Sequence, residues 1–230
     1  MNTAAENFFS KSSYWKTWVT VDPDRVETRF IKKKLRQEKG KVTLLDVACG
    51  NGRLLKSLSN EFKNVDLFGI DINKNAIRLA KKAAPKSKVK LASVYKLPFP
   101  DLYFDIVVIP SSFMHFEKPK TALKEITRVC KKWIFFDLST KSSISQALRS
   151  LKIMPKSNVP EFRYDYEDIE KILPKKDFDW EISGALLLTH KLLPKVIFKI
   201  YERVDFLIPQ IILKKIGHTL MVYGSRKNLT

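Results

Sequence analysis

One stretch of the chain, residues Val42–Arg53, constrains the fold more than any other. Its sequence is VTLLDVACGNGR. The aliphatic and β-branched residues Val42–Val47 predict a buried strand. Ala48, Gly50 and Gly52 then predict a tight turn that leads into a helix. Small residues let the backbone approach a ligand closely, and a helix start offers free N–H groups. The stretch therefore predicts a strand, a ligand-binding turn and a helix.

The spacing within this turn distinguishes two kinds of nucleotide-like cofactor. A dinucleotide fingerprint needs a glycine three positions after Gly52, where the chain has Leu55. The pattern Asp-x-x-x-Gly-x-Gly, formed by Asp46, Gly50 and Gly52, instead resembles the first motif of the class I S-adenosylmethionine-dependent methyltransferases. The resemblance implies that these three residues hold the methionine part of the cofactor, and Ala48 is a further candidate for the cofactor site. An ordinary strand-to-helix turn is the alternative interpretation.

A second acidic residue, Asp71, ends the predicted strand Asp66–Ile72 and lies 21 residues after Gly50. A carboxylate at that place can accept hydrogen bonds from both hydroxyls of a ribose. The alternative is an N-cap for the predicted helix Lys74–Ala84. Given the turn upstream, we interpret Asp71 and Ile72 as the ribose side of a nucleoside site.

The run Lys96–Val108, with sequence KLPFPDLYFDIVV, follows a third predicted strand, Val89–Ser93. It resembles the stretch between the third and fourth strands in the small-molecule branch of the same family. In that branch the residue three before the lysine is usually an Asp that accepts the adenine amino group, and here it is Ser93. The resemblance implies that the Ser93 hydroxyl accepts a weaker hydrogen bond and that the Val94 N–H meets the adenine ring.

The loop after the fourth strand begins with Pro110 and Ser111, which the resemblance places near the transferred methyl group. Enzymes that methylate base amines or amide nitrogens carry Asn/Asp-Pro-Pro-aromatic at this point, and the chain does not. Oxygen, carbon and aliphatic nitrogen acceptors therefore remain. His115, five residues beyond Pro110, is the candidate catalytic base. A partly buried structural histidine is the alternative.

The alternation of strands and helices predicts an α/β fold, with a single doubly wound and mostly parallel sheet and helices on both faces. The family likeness implies a Rossmann-like sheet of seven strands, with the last strand antiparallel beside the sixth. The length favours one domain, with a helical cap at 1–40, a cofactor-binding core at 41–138 and a C-terminal half at 139–230. The remaining predicted elements are helices Arg25–Glu38, Leu54–Asn60, Glu117–Lys132, Ser145–Leu151 and Tyr166–Leu173, and strands Tyr103–Ile109, Trp133–Leu138, Trp180–Leu187 and His218–Ser225.

The predicted N-terminal helical cap, residues 1–40, is rich in aromatic residues. Asp22-Pro23-Asp24 predicts the N-cap of its helix, with proline at the first helical position. The aromatic residues pack on the sheet or, as in similar methyltransferases, form a lid over the cofactor and acceptor. They are Phe8, Phe9, Tyr14, Trp15 and Trp18.

An insertion, His190–Gly217, separates the last two predicted strands. Its apolar residues recur at helical spacing up to an interruption near Pro209. Five charged residues between Lys195 and Asp205 exclude a membrane-spanning helix. A helical pair packed over the strand ends is one interpretation. An apolar acceptor pocket or a membrane-surface helix is the other.

The net charge of +19 invites a partner such as nucleic acid or an anionic membrane. The lysines are spread along the whole chain, which is typical of a solvated surface. Cys49 and Cys130 have neither metal-ligand nor disulfide spacing, and no secretory signal is recognisable. We therefore expect a cytoplasmic protein without a metal, or one associated with a membrane surface.

Together these features predict a methyltransferase that uses S-adenosylmethionine and releases S-adenosylhomocysteine. The expected acceptor is a small molecule, with a hydroxyl of an apolar or lipid-like compound as the first hypothesis. The alternative is a non-catalytic or RNA-directed cofactor-binding protein that uses its basic surface.

Overall fold

The computed structural model describes residues 3–11, 25–141, 159–185, 209–217 and 219–227 of the 230-residue chain. Its helices are α1 (Ala4–Lys11), α2 (Val26–Leu35), α3 (Arg53–Glu61), α4 (Lys74–Ala83), α5 (Pro119–Val129), α6 (Tyr166–Ile172) and α7 (Gln210–Ile216). Its strands are β1 (Val42–Val47), β2 (Val65–Asp71), β3 (Lys88–Leu91), β4 (Phe104–Ile109), β5 (Cys130–Ser139), β6 (Phe178–Ala185) and β7 (Thr219–Arg226). A 3₁₀ turn, Phe113–His115, follows β4.

The seven strands form one sheet in the order β3-β2-β1-β4-β5-β7-β6. Strand β7 lies between β5 and β6 and is antiparallel to both. Strands β3, β2, β1, β4 and β5 pair in parallel. This arrangement confirms the predicted fold, including the antiparallel strand beside the sixth. The chain runs outward from β1 to β3 and then returns to β4, so the sheet has its switch point between β1 and β4, where open α/β sheets bind ligands.

Side chains alternate between the two faces of the sheet along each strand, and helices bury both faces. In β1, Leu45 and Val47 belong to one hydrophobic cluster, while Val42 and Leu44 belong to the other. Helices α2, α3 and α4 cover the Val42 face, and α5 and α6 cover the Leu45 face. Strand β1, which the sequence predicts to be buried, therefore contributes side chains to both hydrophobic clusters.

Several element boundaries differ from the predicted ones. The N-cap of α2 is Arg25, which makes no side-chain capping bond, so the prediction of a cap at residues 22–24 is wrong. Strand β3 ends at Leu91, which leaves Ser93 in the following loop. Helix α5 begins at Pro119, because a proline at the first helical position loses no intrahelical hydrogen bond.

The loop between β3 and β4 is held by one arginine. Arg128 of α5 donates to the carbonyl oxygens of Leu97 and Phe99, at 3.1 and 2.8 Å, and pairs with Asp101 at 2.8 Å. Glu125 accepts a bond from the Leu97 N–H at 2.8 Å. The Leu-Pro-Phe-Pro-Asp part of the run 96–108 therefore fixes a loop against α5.

Part of the insertion before β7 is described. Helix α7 starts after Pro209 and packs closely on β6, where a Cβ added to Gly184 would lie 2.2 Å from the Leu213 carbonyl carbon. Ile211 and Ile212 of α7 are 72% and 44% exposed. Within the described ranges, no helix is both long enough and apolar enough to cross a membrane. The predictions for 190–208, for the helix at 145–151 and for Tyr14, Trp15 and Trp18 lie outside the described residues.

Candidate cofactor and active site

A cavity of about 190 Å³ lies at the carboxyl ends of β1, β2, β3 and β4. That volume is more than ten times what a single water needs, so the cavity is of ligand size. Ten of the eleven residues predicted for the site line this cavity: Asp46, Ala48, Gly50, Asp71, Ile72, Ser93, Val94, Pro110, Ser111 and His115. The tertiary structure therefore brings together residues that are up to 69 positions apart in the chain.

Gly52, the eleventh predicted residue, does not line the cavity. It has a φ of 81°, and an added Cβ would lie 2.8 Å from the Ala80 Cα of α4. The glycine is needed for the close packing of α3 on α4. Gly50 also has a positive φ, 55°, but an added Cβ there would meet no atom within 4 Å. The two glycines of the motif therefore have different roles.

The backbone is strained on both sides of the switch point. Ala48 follows β1 and Ser111 follows β4, and each has a φ of 57°. Non-glycine residues rarely adopt this conformation, and where they do the surrounding structure must hold them. The Ser111 N–H donates to Asp137 Oδ1 at 2.7 Å, and its hydroxyl donates to Glu27 Oε1 at 3.2 Å. The turn after β4 is thus fixed by two buried carboxylates.

Asp71 is held by backbone amides. Its Oδ2 accepts from the Gly50 N–H at 2.8 Å, and its Oδ1 accepts from the Asn73 N–H at 2.9 Å. Burial raises the pKa of Asp71, and the backbone N–H donors oppose that rise. Each oxygen keeps a lone pair for another donor. Asn73, not Asp71, caps α4, because its Oδ1 accepts from the Asn75 and Ala76 amides at 2.9 and 3.0 Å. The capping alternative for Asp71 is therefore wrong.

Asp46 is the most deeply buried acid of the cavity wall, with 1% of its surface exposed. Its Oδ1 has no hydrogen-bond partner among the described residues. Burial raises the pKa of Asp46 from 3.8 to about 8, Arg53 lowers it and Asp71 raises it further. A buried acceptor without a donor costs free energy, and a ligand with an N–H group would relieve that cost.

A cluster of buried charged residues contacts Ser111 in the cavity wall. Glu27 of α2 is 2% exposed and pairs with Arg25 Nε at 2.9 Å and Arg53 Nη2 at 3.5 Å. Asp137, at the end of β5, has its pKa raised to about 7, by burial first and then by the negative charge of Glu27. The cluster joins α2, α3, β4 and β5 beneath the cavity.

The far end of the cavity, beyond β3, combines Ser93 with Glu6 of α1. The Ser93 hydroxyl accepts from the Tyr95 N–H at 3.1 Å and donates to Glu6 Oε1. One lone pair of this hydroxyl is left for a further donor, so the role of Ser93 as a weak acceptor for the base stays a prediction. Glu6 itself lines the cavity.

His115, in the 3₁₀ turn after β4, also lines the cavity. Its Nδ1 is 2.7 Å from the Pro160 carbonyl oxygen. A carbonyl only accepts, so Nδ1 carries the hydrogen and Nε2 is the basic nitrogen. Burial lowers the pKa of His115, while the Pro160 carbonyl raises it. The Phe9 ring lies 4.7 Å from the imidazole, between centroids. In the neutral imidazole the hydrogen is therefore on Nδ1, and His115 stays a candidate base.

Sequence reasoning missed several residues that the cavity wall contains. Arg53 directly follows the glycine motif, so its position alone was a usable signal. Glu6 and Arg25 carry no such signal, because they reach the cavity only through the packing of α1 and α2.

Comparison with known proteins relates the central part of the chain to one family. Residues 45–135 match the family model described as a methyltransferase domain. The matched segment is similar to the class I S-adenosylmethionine-dependent methyltransferases. Their cofactor is S-adenosylmethionine. The matched segment extends from β1 to β5 and contains the strand ends that form most of the cavity.

Two curated relatives match parts of the chain. An uncharacterized methyltransferase of Schizosaccharomyces pombe is 26% identical over 137 residues, which are 55% of this chain and 46% of that protein. The demethylmenaquinone methyltransferase of Bacillus licheniformis is 34% identical over 93 residues, 39% of this chain and 40% of that protein. The chain thus spans less than half the length of these two relatives.

A solved structure has the same fold over nearly the whole chain. The magnesium protoporphyrin IX methyltransferase of Synechocystis PCC 6803, crystallised with S-adenosylhomocysteine, superposes with a TM-score of 0.67 at 13% identity. The match covers 96% of this chain and 98% of that one.

The cavity fits the family's cofactor on its own geometry. Asp46 offers an unsatisfied acceptor for an ammonium group, and Asp71 offers one lone pair on each oxygen for the ribose hydroxyls. The open side of Gly50 leaves room for close approach of a ligand to the backbone.

Proposed function

We propose that this protein transfers a methyl group from S-adenosylmethionine to a small, apolar molecule, with a hydroxyl oxygen as the first candidate acceptor. The observation that carries the proposal is the composition of one cavity. Its lining combines the carboxylates of Asp46 and Asp71 with an apolar wall and an imidazole nitrogen. The apolar wall contains Phe9, Pro110 and Phe116, and the nitrogen belongs to His115.

The names of two similar proteins support a small-molecule acceptor. One is a demethylmenaquinone methyltransferase and the other a magnesium protoporphyrin IX methyltransferase. Both names denote low-molecular-weight ring compounds. The aromatic side chains near His115 provide the kind of surface on which an apolar ring packs well.

Different residues of the cavity bind different parts of the cofactor. Asp46 and the Gly50 backbone hold the methionine part. Asp71 and Ile72 hold the ribose, and Val94 lies against the adenine ring. Pro110 and Ser111 form the wall near the transferred methyl group. These roles follow the sheet order from β4 through β1 and β2 to β3.

S-adenosylmethionine supplies, when bound, a methyl group on a positively charged sulfur that an acceptor atom attacks in line. The protein's part is to orient the acceptor, exclude water and accept a proton. Helix α1 covers the cavity through the contact of Phe9 with His115 and through Glu6. The His115 Nε2 accepts the proton of an acceptor hydroxyl, since Nδ1 already donates to Pro160.

The proposal is tested first by binding and then by turnover. Calorimetry should detect S-adenosylhomocysteine binding to the purified protein and no comparable binding of a nicotinamide dinucleotide. Isotope-labelled S-adenosylmethionine is then incubated with a panel of apolar phenols, quinols and long-chain alcohols, and label extracted into organic solvent is counted. Binding of the nicotinamide cofactor instead of S-adenosylhomocysteine would refute the proposal.

A further inference from the structure

Glu6 brings a carboxylate to the cofactor cavity, and no local sequence pattern predicts it there. It belongs to α1, and its side chain meets Ser93 in the loop after β3, 87 positions away. The two residues close the end of the cavity beyond Asp71. Because β3 is the outer neighbour of β2, this end receives the part of a nucleoside that lies beyond the ribose, which is its base.

The hydrogen-bond inventory of this end favours Glu6 over Ser93 as the acceptor. The Ser93 hydroxyl has one hydrogen, which it gives to Glu6, and it already accepts from the Tyr95 N–H. A carboxylate has about four acceptor positions. Of these, Oε1 uses one for Ser93 and Oε2 uses one for the Thr3 N–H at 3.0 Å. Glu6 therefore has two lone pairs left, and it offers a charged acceptor, which makes the stronger hydrogen bond.

Helix α1 is held over the cavity by contacts that do not involve Glu6. The Asn73 side chain donates to the Phe9 carbonyl oxygen at 2.6 Å. The Ala5 N–H donates to Glu117 Oε2 at 3.4 Å, and Phe9 packs on His115. The position of the Glu6 carboxylate is thus set by the helix as a whole and by its bond to Ser93.

We infer that Glu6 is the base-recognition residue of this site and accepts a hydrogen bond from the exocyclic amine of adenine, with Ser93 holding the carboxylate in place. The inference rests on the proposed function, because it assigns one end of the same cavity. It makes recognition of the base depend on α1, so that the N-terminal helix is part of the cofactor site as well as its cover.

The test compares two ligands that differ at the base edge. S-adenosylhomocysteine has an amine at position 6 of the purine, whereas S-inosylhomocysteine has an oxygen there, which a carboxylate repels. Dissociation constants of both ligands are measured by calorimetry for the wild-type protein, Glu6→Ala, Glu6→Gln and Glu117→Gln. Glu117 is the matched control, since it also anchors α1 but does not line the cavity.

The wild-type protein should prefer S-adenosylhomocysteine by about ten- to a hundredfold, the range expected for one charge-assisted hydrogen bond. Glu6→Ala should lose most of this preference. Glu6→Gln should lose at least as much, because its amide can donate to the 6-oxo group. Glu117→Gln should keep the wild-type ratio even where both affinities fall. Addition of S-adenosylhomocysteine should also slow amide hydrogen exchange in residues 4–11 of the wild-type protein more than in Glu6→Ala.

The ratio of the two dissociation constants distinguishes recognition of the base by Glu6 from a purely structural role of Glu6. An equal loss of both affinities in Glu6→Ala, with the wild-type ratio preserved, would overturn the inference while leaving the proposed function intact. The same holds if Glu117→Gln changes the ratio as much as Glu6→Ala does. If the wild-type protein binds neither ligand, the proposed function fails together with the inference.

Discussion

Asp46 and Asp71 end neighbouring strands and face one cavity, but the protein satisfies them differently. Asp71 accepts two backbone hydrogen bonds, whereas Asp46 Oδ1 has no partner among the described residues. Burial raises the pKa of both groups. The backbone donors offset part of that rise for Asp71, so the two acids should respond differently to substitution.

Replacement of Asp71 by Ala should weaken S-adenosylhomocysteine binding by about ten- to a hundredfold, because charge-assisted bonds to two ribose hydroxyls are lost. Calorimetry on the folded variant measures the change. Replacement of Asp66, a partly exposed acid near the start of β2, is the matched control and should leave the dissociation constant unchanged. A dissociation constant that stays the same in Asp71→Ala would remove this residue from the site.

Asp46 should make the stability of the ligand-free protein fall as pH rises. Its folded pKa of about 8 lies above the ordinary value of 3.8. The contribution to stability is therefore full below the unfolded pKa and is lost as pH rises through the folded one. In Asp46→Asn this loss is absent, so between about pH 4 and pH 8 the variant should gain on the wild type by a few kcal/mol.

Urea unfolding at about pH 5, 7 and 9 measures the difference in the free energy of unfolding between Asp46→Asn and the wild type. The free energy of unfolding of Asp46→Asn, relative to the wild type, should increase up to about pH 8 and stay constant above it. A difference that is independent of pH would contradict a buried Asp46 that ionises at high pH.

His115 should act on the chemical step and not on cofactor binding. Its Nδ1 donates to the Pro160 carbonyl oxygen, so Nε2 is the ring nitrogen that would act as the base. Once an acceptor is known, His115→Ala should lower kcat by about 10²- to 10⁴-fold with little change in S-adenosylhomocysteine affinity. The acid limb of the pH–rate profile should disappear as well. A change of only a few fold would mean that positioning alone carries the reaction.

The two helices that begin after β1 and β2 are joined through one glycine. Gly52 and Gly50 both have positive φ, but only Gly52 faces a neighbouring backbone, at Ala80 of α4. The contact explains why the motif needs a glycine at a position that does not line the cavity. It also fixes the start of α3, on which Arg53 reaches Glu27.

Gly52→Ala should destabilise the protein more than Gly50→Ala does. Both substitutions strain a left-handed backbone, at a cost of about 1 kcal/mol. Gly52→Ala adds an overlap with α4, which should cost a further 1–3 kcal/mol or so. Urea unfolding of both variants measures the free energies of unfolding. Equal losses would mean that α3 and α4 move apart without cost.

The charge of +19 is a property of the whole molecule. In the described part, basic residues form surface ion pairs on several elements, such as Lys41 with Asp66, Lys132 with Glu38 and Lys141 with Asp168. A dispersed charge attracts polyanions only weakly, and salt screens it.

We therefore expect no discrete complex with RNA or duplex DNA at physiological salt in an electrophoretic shift assay. Weak association at low salt should fall steeply as salt is added. Tight binding that survives physiological salt would instead favour the RNA-directed alternative. Repetition with S-adenosylhomocysteine present tests whether any such binding depends on the cofactor site.

The sequence by itself determined the parts of this protein that depend on neighbours in the chain. Apolar runs predict the strands, and a residue at the end of a strand reaches the ligand edge without help from the rest of the fold. Asp46, Ala48, Gly50 and Asp71 were therefore predicted at the cavity, where the structure has them. Motif spacing alone could not tell that Gly52 serves packing, because its neighbour Ala80 belongs to another helix.

Only the tertiary structure decided which distant side chains complete the site. Glu6 reaches Ser93, and Glu27 reaches Ser111, across 87 and 84 positions. Neither α1 nor α2 has a local pattern that specifies where it docks, since an amphipathic helix fits many apolar surfaces. Burial of the apolar faces of α1 and α2 against the sheet determines where these helices dock. Their docking in turn positions the carboxylates of Glu6 and Glu27. The acceptors for the base and for the turn after β4 thus follow from packing and not from spacing along the chain.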